Sequence, residues 1–156
     1  MIKTIKDLIG NNTTPLTLHY RVHAGQIESG SWYLDSNSHG SRFVGEAGHF
    51  FDVFSFITGS RPISVMAKSL RPRPMTDGDL DNIIATVDYE DGSIASLMYV
   101  TQGGVKVPKE YLEVFGGQCT IQLHNFEKLV IFEGNRQRLI KAGRPDKGQK
   151  EEMKQF

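Results

Sequence analysis

At 156 residues the chain has the length of one domain with a sizeable core. Hydrophobic residues make up 38% and charged residues 23%, the balance of a soluble globular protein. The 18 basic and 18 acidic residues cancel, so nothing favours nucleic acid as a partner, and no apolar run is long enough to span a membrane.

Taken in chain order, Ile2, Ile5, Leu8 and Ile9 share a stripe at helical spacing and predict a short helix, stopped by residues 11–15. PLTLHYRVHAG then alternates. Leu16, Leu18, Tyr20, Val22 and Ala24 fall on one face and Thr17, His19, Arg21 and His23 on the other, which predicts a half-buried strand. Residues 25–45 show no period and are rich in Gly, Ser, Asn and Asp around a lone SWYLD. A loop of about 20 residues is uncommon in a compact domain and is often functional.

The spacing next predicts a helix over 46–58. Its apolar stripe is Phe50, Phe51, Phe54 and Ile57, widened by Ala47, Val53 and Phe56, and Gly59 is its stop. SRPISVMAKSLRP reads as a strand entered through Pro62. Three hairpins follow, turning at Asp91-Gly92, at Gly116-Gly117 and near Gly134-Asn135. The final DKGQKEEMKQF reads as the start of a helix, with Met153 and Phe156 three apart, and the chain is expected to stop inside that element.

About eight strands joined mostly by hairpins, with one main core helix, make an α+β domain: an open, mostly antiparallel sheet in two layers. Residues 1–14 are read as a helix remnant and linker, 15–145 as the domain, and 146–156 as the truncated helix. The central strands carry apolar residues on both faces, Ile84, Ile94 and Met98 among them. One helix covers one face only, so the other face is expected to meet a partner. The single cysteine, Cys119, forms no internal disulfide, and the N-terminus lacks a signal peptide's apolar core; the cytoplasm is the expected location.

The sequence has no glycine-rich dinucleotide fingerprint, phosphate-binding loop, zinc-protease helix, paired cysteines or nucleophile elbow. Glu46, His49 and Asp52 remain, at steps of three along one edge of the predicted helix. With the helix starting at residue 46, His49 feels the positive dipole end and a neighbouring carboxylate, a setting for proton exchange. The same three residues also fit a dipole-complementing Glu46, a solvated Asp52 and a His49 bonded to a loop carbonyl. A metal site would need further ligands from His39, His19 or His23. Trp32, Arg42, His23 and Lys106 are the candidate substrate-binding residues; each also fits a loop anchor or a solvated surface position.

SWYLDSNSHGSRFVGEAGHFFDVFSFITGSRPISVMA, DNIIATVDYEDGSIASLMY and EYLEVFGGQCTIQLHNFEKLVIFEGN, in that order and spacing, resemble the C-terminal domain of the Gfo/Idh/MocA family. The likeness runs from about residue 15 to the end. It implies a dihydrodipicolinate-reductase-like C-terminal domain whose outer sheet face is a subunit interface, here giving a homodimer. It implies an N-terminal Rossmann domain that binds NAD or NADP in the intact protein, with no cofactor bound to this chain alone and no turnover without that half. It also implies that His49 exchanges the proton of a substrate hydroxyl, with Asp52 the acid one turn later. Many members carry an Asp four residues before that histidine; here the position is Gly45, and Glu46 stands beside it.

The function expected is therefore the substrate-binding and dimerisation half of an NAD(P)-dependent oxidoreductase acting on a sugar, polyol or related hydroxy compound. The alternative is a non-catalytic module for sheet-mediated dimerisation or small-ligand binding. A metal-dependent hydrolase built on His49 and nearby carboxylates is a third reading.

Overall fold

The computed structural model describes residues 1–10, 14–26, 41–70 and 81–142. Among these described residues two helices, α1 (Ile2–Ile9) and α2 (Arg42–Thr58), accompany eight strands. These are β1 (Thr17–His23), β2 (Pro62–Ser69), β3 (Ile83–Tyr89), β4 (Ile94–Val100), β5 (Glu110–Gly116), β6 (Cys119–His124), β7 (Lys128–Glu133) and β8 (Arg136–Lys141). They form one sheet in the order β2-β3-β4-β1-β5-β6-β7-β8. The predicted open, mostly antiparallel α+β sheet is the observed one.

Hairpins explain the two flanks of the sheet but not its centre. β1 inserts between β4 and β5, antiparallel to β5 and parallel to β4, so the first strand in the sequence becomes a central strand. Its alternation sets the register: Leu18, Tyr20 and Val22 are buried, beside Ala95, Leu97 and Tyr99 of β4 and Leu112 and Val114 of β5. His23 breaks the pattern, being buried although it lies on the opposite face.

The helix layer packs on the Leu18–Tyr20–Val22 face. Ala47, Phe50, Phe54 and Ile57 of α2 are buried in a single core with Ile5 of α1 and the inward residues of β1, β4, β5, β6 and β7. Burying each of the large side chains contributes about 1.5–3 kcal/mol. Rings fix the seating: Tyr20 meets Phe50 edge-on at 5.1 Å, and Tyr99 meets Phe43 at 5.5 Å. Phe56 does not widen the apolar stripe as expected but is 50% exposed, because two residues from Phe54 turn it to the far side of the helix.

An eight-residue helix is unstable by itself, and α1 holds through tertiary contact. Ile5 is fully buried, and Lys6 Nζ donates to the carbonyl of Ile57 at 2.9 Å, placing a cation at the C-terminal end of α2. α2 itself stops at Gly59, whose φ of 69° and N–H bond to the Ser55 carbonyl form a left-handed cap.

Candidate active site

The head of α2 is built by residues distant in sequence. Ser41 is the N-cap and its hydroxyl accepts the Val44 N–H. The Phe43 N–H donates to Asp81 Oδ1 at 2.9 Å, from just before β3, and Asp81 is 1% exposed. Asn82 then holds the other side: its Nδ2 donates to Thr101 Oγ1 at 3.0 Å and its Oδ1 accepts the Thr101 N–H at 3.0 Å. This pair locks the helix start to the end of β4. Neither residue stands out in the sequence, because a cap supplied from 38 positions away leaves no local spacing to read.

These caps start α2 at Arg42, four residues before the predicted start, so the glycine-rich stretch ends in helix rather than running to residue 45. His49 becomes the eighth helical residue. The expected influence of the helix dipole on it lapses, since that field fades within the first turn.

Glu46, His49 and Asp52 do not share one environment. Glu46 turns toward the sheet: Oε1 accepts Arg42 Nε at 2.9 Å, Oε2 accepts the Tyr99 hydroxyl at 3.1 Å, and Lys109 Nζ lies 3.8 Å away. Burial alone would raise its pKa. The Arg42 hydrogen bond, the charges of Lys109 and Arg42 and the Tyr99 hydroxyl outweigh burial, and the carboxyl sits below its ordinary value. Tyr99 is pushed up, first by burial and then by the Glu46 charge. Lys109 completes this cluster, a residue that no spacing in the sequence links to Glu46.

His49 and Asp52 are exposed and make no side-chain hydrogen bond or ion pair with any described residue. They stand on the side of α2 away from the sheet, together with Gly45 and Gly48. At both glycines a Cβ would meet nothing within 4 Å. The result is an open imidazole on a low, smooth stretch of rigid helix. Such a group can take up and return the proton of a molecule laid against that surface.

The proposed substrate contacts are only partly assembled. Arg42 ties α2 to the end of β1 through Nη1 to the Ala24 carbonyl at 3.1 Å. Lys106 is exposed in the turn between β4 and β5. His23 lies on the other face of the sheet, in register with Val100 and only 8% exposed. Its Nε2 is buried without a hydrogen-bond partner among the described residues, close under Gly103, whose φ of 125° suits a residue without Cβ. His23 therefore does not join the Glu46 cluster. His19 and Arg21 share its strand face but turn to other partners, Ser96 Oγ at 2.9 Å and the Pro108 carbonyl at 3.1 Å. Trp32 and His39 lie outside the described residues. Among the described residues, no three His, Cys, Asp or Glu side chains group closely enough to hold a metal ion.

Residues 3–122 match the family described as GFO/IDH/MocA C-terminal domain. No curated protein matches the sequence significantly. Among solved structures, an oxidoreductase domain protein from Kribbella flavida superposes with a TM-score of 0.72 at 19% identity, over 92% of this chain and 46% of that one. An Agrobacterium radiobacter oxidoreductase in complex with NAD+, L-tartaric acid and magnesium gives 0.67 at 22% identity, over 93% and 43%. An inositol dehydrogenase homolog from Azotobacter vinelandii, complexed with NAD+, gives 0.69 at 15% identity, over 94% and 42%. At these identities the likeness is one of fold, and the chain spans less than half the length of these three structures.

Proposed function

The chain belongs to the Gfo/Idh/MocA C-terminal domain family, and from that premise we propose that it is the substrate-side and dimerisation half of an NAD(P)-dependent oxidoreductase acting on a sugar, polyol or related hydroxy compound. The observation that carries the reading is His49, an open imidazole on a helix whose opposite side is locked into the core of this fold.

The dinucleotide does not fit the described residues. Among the described strands the single parallel pair is β1 with β4, and the Gly103-Gly104 turn leads into β5 rather than into a helix N-terminus. NAD or NADP, which would supply the hydride chemistry, therefore belongs to another domain. The role left to this chain is to orient the hydroxyl-bearing carbon and to move its proton at His49, with Asp52 one turn on steadying the imidazolium. Arg42 and Lys106, with Trp32, are the substrate contacts. Glu46 acts by position: its partners are Arg42, Tyr99 and Lys109. The uncovered apolar residues of the outer sheet face, Ile84 at 51%, Ile94 at 49% and Phe115 at 42% exposed, support its use as a homodimer surface. The lone thiol of Cys119 suits the cytoplasm.

The test is His49→Ala in the protein carrying its nucleotide-binding half. Turnover should fall about 10²-fold or more with the oligomeric state retained. Unchanged turnover would instead favour the non-catalytic module, to which the Gly45 departure gives some support.

A further inference from the structure

We propose that the free edge of β2 pairs with β2 of a second copy of this chain, antiparallel about Val65, as an interface separate from the outer sheet face. β2 is the first strand in the sheet order, so one side of its backbone has no neighbouring strand among the described residues. Residues 62–68 are exposed on both faces, with Ile63 at 60%, Val65 at 67% and Met66 at 69%. An edge strand of eight residues with apolar side chains on both faces is the kind that another strand covers.

The backbone supplies the pairing geometry. The Leu70 N–H bonds to the Asn82 carbonyl across β3, and Ser69 is in register with Ile83. Alternation then directs Ser64, Met66 and Lys68 toward β3 and leaves the N–H and C=O groups of Val65, Ala67 and Ser69 pointing outward. A groove flanks the strand on each face. On the helix side Phe51, Ile63, Val65, Val87 and Tyr89 line about 480 Å³. On the outer side Met66, Leu70, Ile84, Met98 and Val100 line about 560 Å³. Side chains of an added strand would pack against the β2 residues that rim these grooves, Ile63 and Val65 on the helix side and Met66 on the outer side.

Charge selects a second copy as the occupant. The end of β2 near Pro62 lies beside Asp88, Glu90 and Asp91, while the other end carries Lys68. Arg61 at the acidic end is already paired with Glu90 at 3.1 Å. A two-fold about Val65 sets Val65 against its own copy, Ile63 against Ala67, and Lys68 against Pro62, next to the Ser64–Asp88 hydrogen-bonded pair. Every lysine then meets the acidic end and no like charges face each other. The strand is about 27 Å long, so the patch is at the small end for a stable interface, and dissociation in the micromolar range is expected.

Sedimentation equilibrium of the full chain and crosslinking test this. Val65→Glu sets two carboxylates face to face and should lower the self-association constant about tenfold or more at this site while circular dichroism is unchanged. Val65→Cys combined with Cys119→Ser should give a disulfide-linked dimer on mild oxidation, since facing Cα atoms would stand about 5.5 Å apart. Association unaffected by Val65→Glu, or no crosslink at position 65, overturns the proposal; so does a chain that stays monomeric at about 100 μM. Phe115→Glu on the outer face separates the two surfaces. It should leave the position-65 crosslink intact whatever becomes of the face-to-face dimer.

Discussion

The hydroxyl of Tyr99 donates to Glu46 Oε2 at 3.1 Å, and this bond holds the carboxylate against the sheet, away from His49 three residues on. The acid nearest the proposed proton-exchanging histidine in sequence is thus a strut between α2 and β4. Glu46→Gln should weaken the Arg42 and Lys109 contacts and cost about 1 kcal/mol in urea unfolding, the group being partly exposed. Amide exchange should quicken in the first turns of α2. If Glu46 exchanged protons itself, turnover in the assembled protein would fall as far as in His49→Ala; a strut predicts a much smaller loss.

Asp81 is expected to matter more to stability than its loop position suggests. Asp81→Ala strips the Phe43 N–H of its acceptor and should cost about 1–2 kcal/mol, seen as a lower urea midpoint with unchanged slope. Asp81→Asn retains an acceptor oxygen and should lose less. Equal losses in the two variants would mean that the charge, and not the cap, is what counts.

The tyrosines set an alkaline limit. Burial, followed by the Glu113 hydrogen bond and charge, pushes Tyr111 up to about 12. Burial and the neighbouring Glu110 and Glu46 carboxylates push Tyr20 and Tyr99 up as well. A raised phenol means that the folded chain binds more protons than the unfolded one between the two pKa values. Stability is therefore full below pH 10 and falls as pH rises toward 12. Glu46 and Asp91, held below their ordinary values, work in the opposite sense: their contribution is present above about 4.5 and is lost as pH falls. Urea midpoints across pH, with phenolate absorbance, should show a plateau bounded on both sides.

Gly45 and Gly48 weaken α2 with no compensating contact among the described residues. Gly45→Ala and Gly48→Ala should each raise stability by up to about 1 kcal/mol, since the added Cβ enters open space and alanine favours helix. Thermal melts of this chain check the sign. If another molecule lies close along that surface in the assembled enzyme, the same variants should raise KM there while stabilising the fold.

What the sequence determined by itself was local. Periodicity of two and 3.6 identified α1, β1 and the stripe Phe50, Phe51, Phe54 and Ile57 of α2, widened by Ala47, Val53 and Phe56; of these Ala47, Phe50, Phe54 and Ile57 are buried, because one-sided burial writes itself into spacing. Turn residues marked the hairpins at Gly92, Gly117 and Gly134, each observed with positive φ. Only tertiary structure decided the rest. The central place of β1 and its parallel pairing with β4 arise from burying both long edges of the strand, which no neighbouring turn encodes. The true start of α2 depends on a carboxylate 38 residues away. Glu46 and His49, equivalent by spacing, part because Tyr99 and Lys109 arrive from other strands to claim one carboxylate and leave the imidazole open.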